Sequence, residues 1–579
     1  MSTSQKLNLP DFKPHEILDL FLAQKTEAIA TQYLSILDHF KQRTDRQITI
    51  PLQTYIDQFL GNFFYTFSQA KLVLPEDYLR AFIRRNKIIA TLAAISSFQN
   101  TDPYLKILST QPENLGKALA LYSPRNEFYF DYNKIFTTNP DLACYWYSYI
   151  FSHYATGLAH ENIAKRIYFH ATYDHPNLTR FYNYPDIYCS ATYIAPNLDR
   201  LLKYKINLFV QQSSAPQTNA QQQYDKKKIA IVSSSWSPQS SIYRNLSTYI
   251  AALANKYELT LIYCGEKNEL VDQDFFKQII YIKAKDNSLN YDQLHGNQFS
   301  LIYFTDIGVN TESILLANFR LSPIQCCGLG HPVSTYGAKI DYFISGQTVE
   351  IPTESTQFYS ENLILLPNLG VVHHPPPYQR RERQHFQNSR IIINCPWSAQ
   401  KINFSLLKTL KRITEKTPEP PLFRFFCGHS LNQNSYLVFT QDIASVLPRE
   451  YFELVPAIAN QDYLALMETG DMTLDSFHVG GCHSIIESLY LYKPTVVFEG
   501  DRWYNRVGAQ LLRQVGLMDL IATTKKDYIH MALKLILDKK YRQTVGDRLR
   551  EVDFEKTIFN TTEIQSFKKA IDSLIANLR

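Results

Sequence analysis

The chain has 579 residues, 45% apolar and 20% charged, a balance that excludes global disorder. At about 100–200 residues per domain, the length predicts three or four domains. Lys and Arg total 59 against 54 Asp and Glu. The surplus of +5 is too small and too dispersed to argue for a nucleic-acid partner.

The eight cysteines include no Cys-x-x-Cys pair, and most lie in apolar runs such as Leu422-Phe423-Arg424-Phe425-Phe426-Cys427, so a disulfide framework or structural zinc site has no support. Residues 1–10 lack the charged-then-apolar pattern of a signal peptide. No apolar run approaches the length of a membrane span. The expectation is a cytoplasmic chain with no transmembrane segment.

The first 210 residues read as helices. Tyr33, Ile36, Leu37 and Phe40 recur at 3–4 spacing. A helix is predicted to start at Pro75-Glu76-Asp77, with proline in the first turn and two acids at the positive end of the dipole. It continues through Phe82, Ile89 and Leu92. Aromatic stretches such as Tyr145-Trp146-Tyr147 read as core packing rather than a ligand surface, and no tetratricopeptide period is evident. The all-α domain is assigned to 1–210 and a Gln/Ser/Ala-rich linker to 211–225.

From Lys228 the pattern changes. Short apolar runs at 228–232, 259–263, 279–282, 301–304, 324–327, 342–344 and 363–366 alternate with helical segments, which implies a parallel sheet covered on both faces. A break at 371–388 contains His373-His374-Pro375-Pro376-Pro377. This reads as a linker turn, since no third metal ligand accompanies the two histidines. The alternation then restarts and runs to about residue 515. The predicted architecture is α/β: two Rossmann-like domains, 226–375 and 385–579, after the all-α domain. Ligands of such units sit beyond the carboxyl ends of the strands.

One such junction stands out. The strand 472–474 ends in Asp475-Ser476, then Gly480-Gly481-Cys482-His483-Ser484, and a helix follows. Two glycines let backbone approach a ligand, and the helix start offers free N–H groups to a phosphate. Ser484 and Glu487 also fit a capping box, in which Glu487 would only close the helix terminus. In the alternative, Glu487 accepts hydrogen bonds from a ribose diol.

The ordered series Asp475-Ser476, Gly480 to Leu489, Lys493-Pro494-Thr495, Gly500-Asp501, Arg506 to Leu512 and Gly516-Leu517 resembles the donor-binding half of the O-linked N-acetylglucosamine transferases. That family includes the bacterial cytoplasmic N-glucosyltransferases that modify adhesins. Ser322-Pro323-Ile324-Gln325 with Gly328-Leu329-Gly330-His331-Pro332-Val333-Ser334-Thr335 is similar to a second motif, at the loop facing the sugar.

The resemblance spans about 228–540 and implies a GT-B fold of two facing halves. It implies that Lys401 neutralises the donor diphosphate, and that Gly481, Cys482, His483 and Ser484 form the diphosphate-binding helix start. Glu487 then holds the ribose, and Arg506 falls within the same donor-binding set. His331 lies beside the transferred sugar and the acceptor, catalytic together with Lys401, and Gln239 lies on the acceptor-side loop. Cys482 and His483 depart from the family's small polar residues, and no counterpart of an animal active-site histidine falls within 301–306.

The implied activity is inverting, metal-independent transfer of a hexose, glucose, from a UDP-sugar to asparagine in Asn-x-Ser/Thr sequons of a polypeptide such as an adhesin, without a cofactor. Ser/Thr or glycan acceptors, or a non-catalytic partner of another transferase, are the rival readings. Asp272-Gln273-Asp274 has metal-site spacing but reads as a helix start or surface turn.

Overall fold

The computed structural model describes residues 9–43, 48–213, 223–266, 270–285, 287–294, 296–330, 333–351, 353–381, 390–427, 433–561 and 563–578. Its contacts group the chain into two bodies. One comprises 1–182 with 428–446, the other 183–427 with 447–579.

The first body is helical. The helices Thr26–Gln42 and Ile50–Ser68 face each other through Tyr33, Phe40, Phe59 and Phe63, all with no exposed surface. Phe59 and Phe63 stack at 5.9 Å. Burying one such ring contributes about 1.5–3 kcal/mol, so the aromatic runs serve as core. Trp146 and Tyr147 are likewise buried, and His170 Nε2 donates to Tyr147 O at 2.8 Å. The helix predicted to run on from Glu76 breaks into Glu76–Ile83 and Asn86–Ala94. At the break Arg85 turns to Asp38, and the buried amide of Asn86 donates to the carbonyls of Ala120 and Tyr122. Tertiary partners override the local helical pattern there.

The helix Gln433–Ala444, expected within the second α/β unit, belongs to this helical body. Asp442 receives both terminal nitrogens of Arg125, at 2.9 and 2.6 Å. Conversely the helices Tyr184–Ile194 and Leu198–Ser213, assigned from sequence to the all-α domain, pack in the other body. Tyr188 Oη and Asn207 Nδ2 both donate to Thr335 O, at 3.1 and 2.6 Å. Helical periodicity identifies a helix but carries no record of which core it joins.

The second body holds two parallel sheets. Strands β1 (Asp225–Ser233), β2 (Glu258–Tyr263) and β3 (Gln278–Tyr281) are followed by a two-stranded hairpin, β4 (Ala284–Lys285) and β5 (Ser288–Leu289). Then come β6 (Phe299–Phe304), β7 (Ile324–Gly328), β8 (Tyr342–Gly346) and β9 (Asn362–Leu366). The first sheet has the order β3-β2-β1-β6-β7-β8-β9. Strands β10 (Ile392–Cys395), β11 (Leu422–Phe426), β12 (Phe452–Val455), β13 (Met472–Leu474), β14 (Thr495–Phe498) and β15 (Ile521–Ala522) make the second, in the order β12-β11-β10-β13-β14-β15. Both are doubly wound, with the switch in strand order between β1 and β6 and between β10 and β13, where crevices open at the carboxyl ends.

The last helix, Ile564–Ala576, returns to the first sheet's side. Phe567 stacks on Tyr249 at 4.5 Å, and Ile571 and Ile575 join the same core. The sequence reading, which ended the chain inside the second Rossmann-like domain, did not foresee this crossing.

Candidate functional site

At the second switch point, three side chains tie the end of β10 to the loop after β13. Trp397, 1% exposed, donates Nε1 to Leu474 O at 2.8 Å. Asn403 caps the helix Phe404–Thr414 through Oδ1 and donates Nδ2 to Phe477 O at 2.6 Å. Between them, Lys401 ends a short 3-10 turn and donates Nζ to Gly480 O at 2.6 Å. The ammonium group therefore sits at the glycine turn that feeds the helix His483–Tyr490.

The glycines are required by close approach. A Cβ on Gly480 would lie 2.8 Å from Asp475 Oδ2, and one on Gly481 would lie 2.3 Å from Ser484 Oγ. Asp475, 3% exposed, organises the turn by accepting from the N–H groups of Ser476 and Gly481, both at 2.8 Å. Burial lifts its carboxyl to about 7, against the opposing pull of Lys401 and of those two N–H groups. Burial also lowers the Lys401 ammonium, while Asp475 pulls it back up. A desolvated cation beside a costly carboxylate gains from an arriving anion.

The helix has no side-chain cap, and its ladder begins with Ile485 and Ile486 N–H donating to Cys482 O. The N–H groups of His483 and Ser484 lie ahead of that ladder, at the positive end of the dipole. Glu487 does not close a capping box. Its Oε2 accepts from Tyr463 Oη at 3.1 Å and its Oε1 from Arg244 Nη1 at 3.3 Å. The helix starts two residues earlier than a Ser484 cap requires, which frees Glu487 for these partners. Burial raises its carboxyl, with Arg244 and Tyr463 opposing.

Lys401 and Gly481, Cys482, His483, Ser484 and Glu487 thus lie at or beside the start of one helix. Arg506 is engaged elsewhere: Nε donates to Val349 O at 3.1 Å and Nη1 pairs with Glu499 at 3.5 Å. Gln239 is exposed in the turn after β1. His331 lies outside the described residues. Asp272 accepts from Tyr243 Oη and from Asp274 N, a local turn arrangement.

Sequence reasoning missed Asp475 as the organiser of the turn, Asn403 as its tether, and Arg244 and Tyr463 as partners of Glu487. Asp475 stood in the quoted motif and was legible there. Arg244 and Tyr463 lie 243 and 24 residues from Glu487, and no local pattern marks them.

Two doubly wound parallel sheets, each with a switch-point crevice, and a lysine at an open helix mouth in one of them define the GT-B class. Residues 379–567 match the model of glycosyl transferase family 41. The chain is 25% identical over 329 residues to a UDP-glucose:protein N-beta-glucosyltransferase of Actinobacillus pleuropneumoniae, covering 55% of this chain and 52% of that protein. It is 28% identical over 239 residues to a probable UDP-N-acetylglucosamine–peptide N-acetylglucosaminyltransferase SPINDLY of Solanum lycopersicum, covering 40% of this chain and 25% of that one. The chain therefore spans between a quarter and about half of the length of these relatives. A solved O-GlcNAc transferase mutant from Thermobaculum terrenum shares the fold, with a TM-score of 0.60 at 17% identity over 91% of this chain and 98% of that one.

Proposed function

We propose that this chain is an inverting, metal-independent glycosyltransferase that moves glucose from UDP-glucose to asparagine in Asn-x-Ser/Thr sequons of a cytoplasmic polypeptide, an adhesin among the candidates. The observation that carries the reading is the meeting of the Lys401 ammonium with the uncapped start of the helix His483–Tyr490. As the bond from the sugar's anomeric carbon to the β-phosphate breaks, its electron pair passes to the phosphate oxygen. Lys401 and the N–H groups of His483 and Ser484 stabilise that charge in a desolvated setting. Glu487, held by Arg244 and Tyr463, takes the ribose hydroxyls. His331 is assigned to the sugar and acceptor, Gln239 to the acceptor side and Arg506 to the donor half, where it braces Glu499.

Support for a nitrogen acceptor, and so for asparagine, comes from the Actinobacillus relative, a UDP-glucose:protein N-beta-glucosyltransferase. The SPINDLY relatives are named for UDP-N-acetylglucosamine as donor and a peptide as acceptor, which supports a polypeptide acceptor and leaves the linking atom to the test. UDP release from UDP-glucose, with and without a sequon peptide, tests the reading, and mass spectrometry of the peptide locates the sugar. Sequon-dependent release with a hexose on asparagine is expected. Modification of Ser/Thr would overturn the acceptor, and no turnover with any UDP-sugar would overturn the enzyme.

A further inference from the structure

The sequence presents His373-His374 as a turn before three prolines, and the structure places His373 in a different setting. It is 2% exposed, with Nε2 3.9 Å from Cys482 Sγ and its ring edge-on to His483 at 5.7 Å. Each ring carries a buried nitrogen with no hydrogen-bond partner among the described residues: Nδ1 of His373 and Nε2 of His483. Leaving such a group unsatisfied forfeits its hydration without a replacement, and an orphan of this kind calls for a partner that arrives later.

The groups around the pair come from every neighbouring element. The helix start supplies Cys482 and Glu487, the preceding loop Asp475, the turn after β10 Lys401, and the helix Ser241–Ala254 Arg244. His374 is spent on Thr248, Nε2 to Oγ1 at 2.7 Å. Burial holds His373 down to about 3, with His374 and Arg244 adding to it. It holds His483 well below its usual range, aided by Arg244, His373 and Lys401. A neutral imidazole carries one donor and one acceptor nitrogen, and an anion sharing the space favours its protonation, after which both nitrogens donate.

We propose that His373, with His483, is a ligand of the donor's diphosphate and that the pair takes up a proton as the nucleotide enters. The segment joining the two halves then contributes directly to the donor site. This rests on the donor reading above and extends it to a residue outside the helix mouth. Whichever tautomer the free protein holds, the protonated ring directs N–H groups toward both Cys482 and the ligand.

The test is calorimetric titration of the full chain with UDP-glucose, whose two esterified phosphates keep a fixed charge near neutrality, in buffers of differing ionisation enthalpy. Uridine serves as the phosphate-free comparison. The expected result is uptake of about one proton with UDP-glucose and none with uridine. His373→Gln should abolish most of the uptake and weaken UDP-glucose about tenfold, with uridine unaffected. His373→Asn provides a second substitution, and circular dichroism checks that each variant folds. Binding of UDP-glucose without proton uptake, or with unchanged affinity in the folded variants, would overturn the proposal and leave the donor reading intact. Failure of the unaltered chain to bind UDP-glucose would overturn both.

Discussion

Replacing Lys401 by glutamine removes the charge while keeping a donor within reach of Gly480 O, which Nζ now meets at 2.6 Å. The native ammonium is desolvated and its charged form disfavoured, so its removal relieves a cost in the ligand-free fold. The Asp475 carboxylate, already lifted to about 7 by burial, then loses its counter-ion and takes up a proton more readily. These opposing changes leave the melting temperature within about 3 °C of the unaltered chain. The loss falls on the nucleotide complex instead. A charge-assisted hydrogen bond contributes about 1.5–3 kcal/mol, or roughly 10–150-fold in affinity at 1.4 kcal/mol per decade. Titration calorimetry with UDP reads the affinity, and UDP release with a sequon peptide should fall at least about tenfold. A variant that binds UDP within twofold of the unaltered chain, or whose fold collapses, would refute the assignment of a ligand-directed cation.

Three further outcomes follow from the same geometry. The folded-state carboxyl of Asp475, at about 7, exceeds its ordinary 3.8, so the group's stabilising contribution is complete below the lower value and disappears as pH rises through the upper one. Asp475→Asn removes that dependence, and denaturant unfolding should show the variant gaining on the unaltered chain between about pH 4 and pH 7; a constant difference contradicts it. Gly330→Ala would place a Cβ 1.7 Å from Thr305 O, a backbone atom that cannot swing aside. A loss of about 1–3 kcal/mol in unfolding free energy is expected, and an unchanged midpoint would mean the loop is slack. Arg125→Ala leaves Asp442, 8% exposed at its side chain, without its cation. Breaking a buried pair costs about 3–5 kcal/mol, and hydrogen exchange across Gln433–Ala444 should rise; unaltered protection there would detach this helix from the first body.

Much of the proposed donor site is sequence-local, which is why its residues could be singled out from the chain. Gly480, Gly481, His483, Ser484 and Glu487 fall within eight residues, because a strand-to-helix turn presents consecutive N–H groups to a phosphate. Parallel strands buried on both faces likewise leave continuous apolar runs, so alternating α/β units were visible from β1 onward. The capping-box reading of Glu487 failed because spacing alone cannot register a helix start to within two residues.

What the tertiary structure alone decided is where long-range partners meet. The helices Tyr184–Ile194 and Leu198–Ser213 and the helix Gln433–Ala444 each pack with a body other than the one their sequence neighbourhood suggests, and the final helix Ile564–Ala576, within the second body, joins the core of the first sheet. Arg244 reaches Glu487 from 243 residues away, and His373 reaches Cys482 across 109. The physical reason is the range of each signal. Hydrophobic period and turn chemistry act within a few residues and leave a local trace, whereas burial and ion pairing depend on which surfaces the chain closes together.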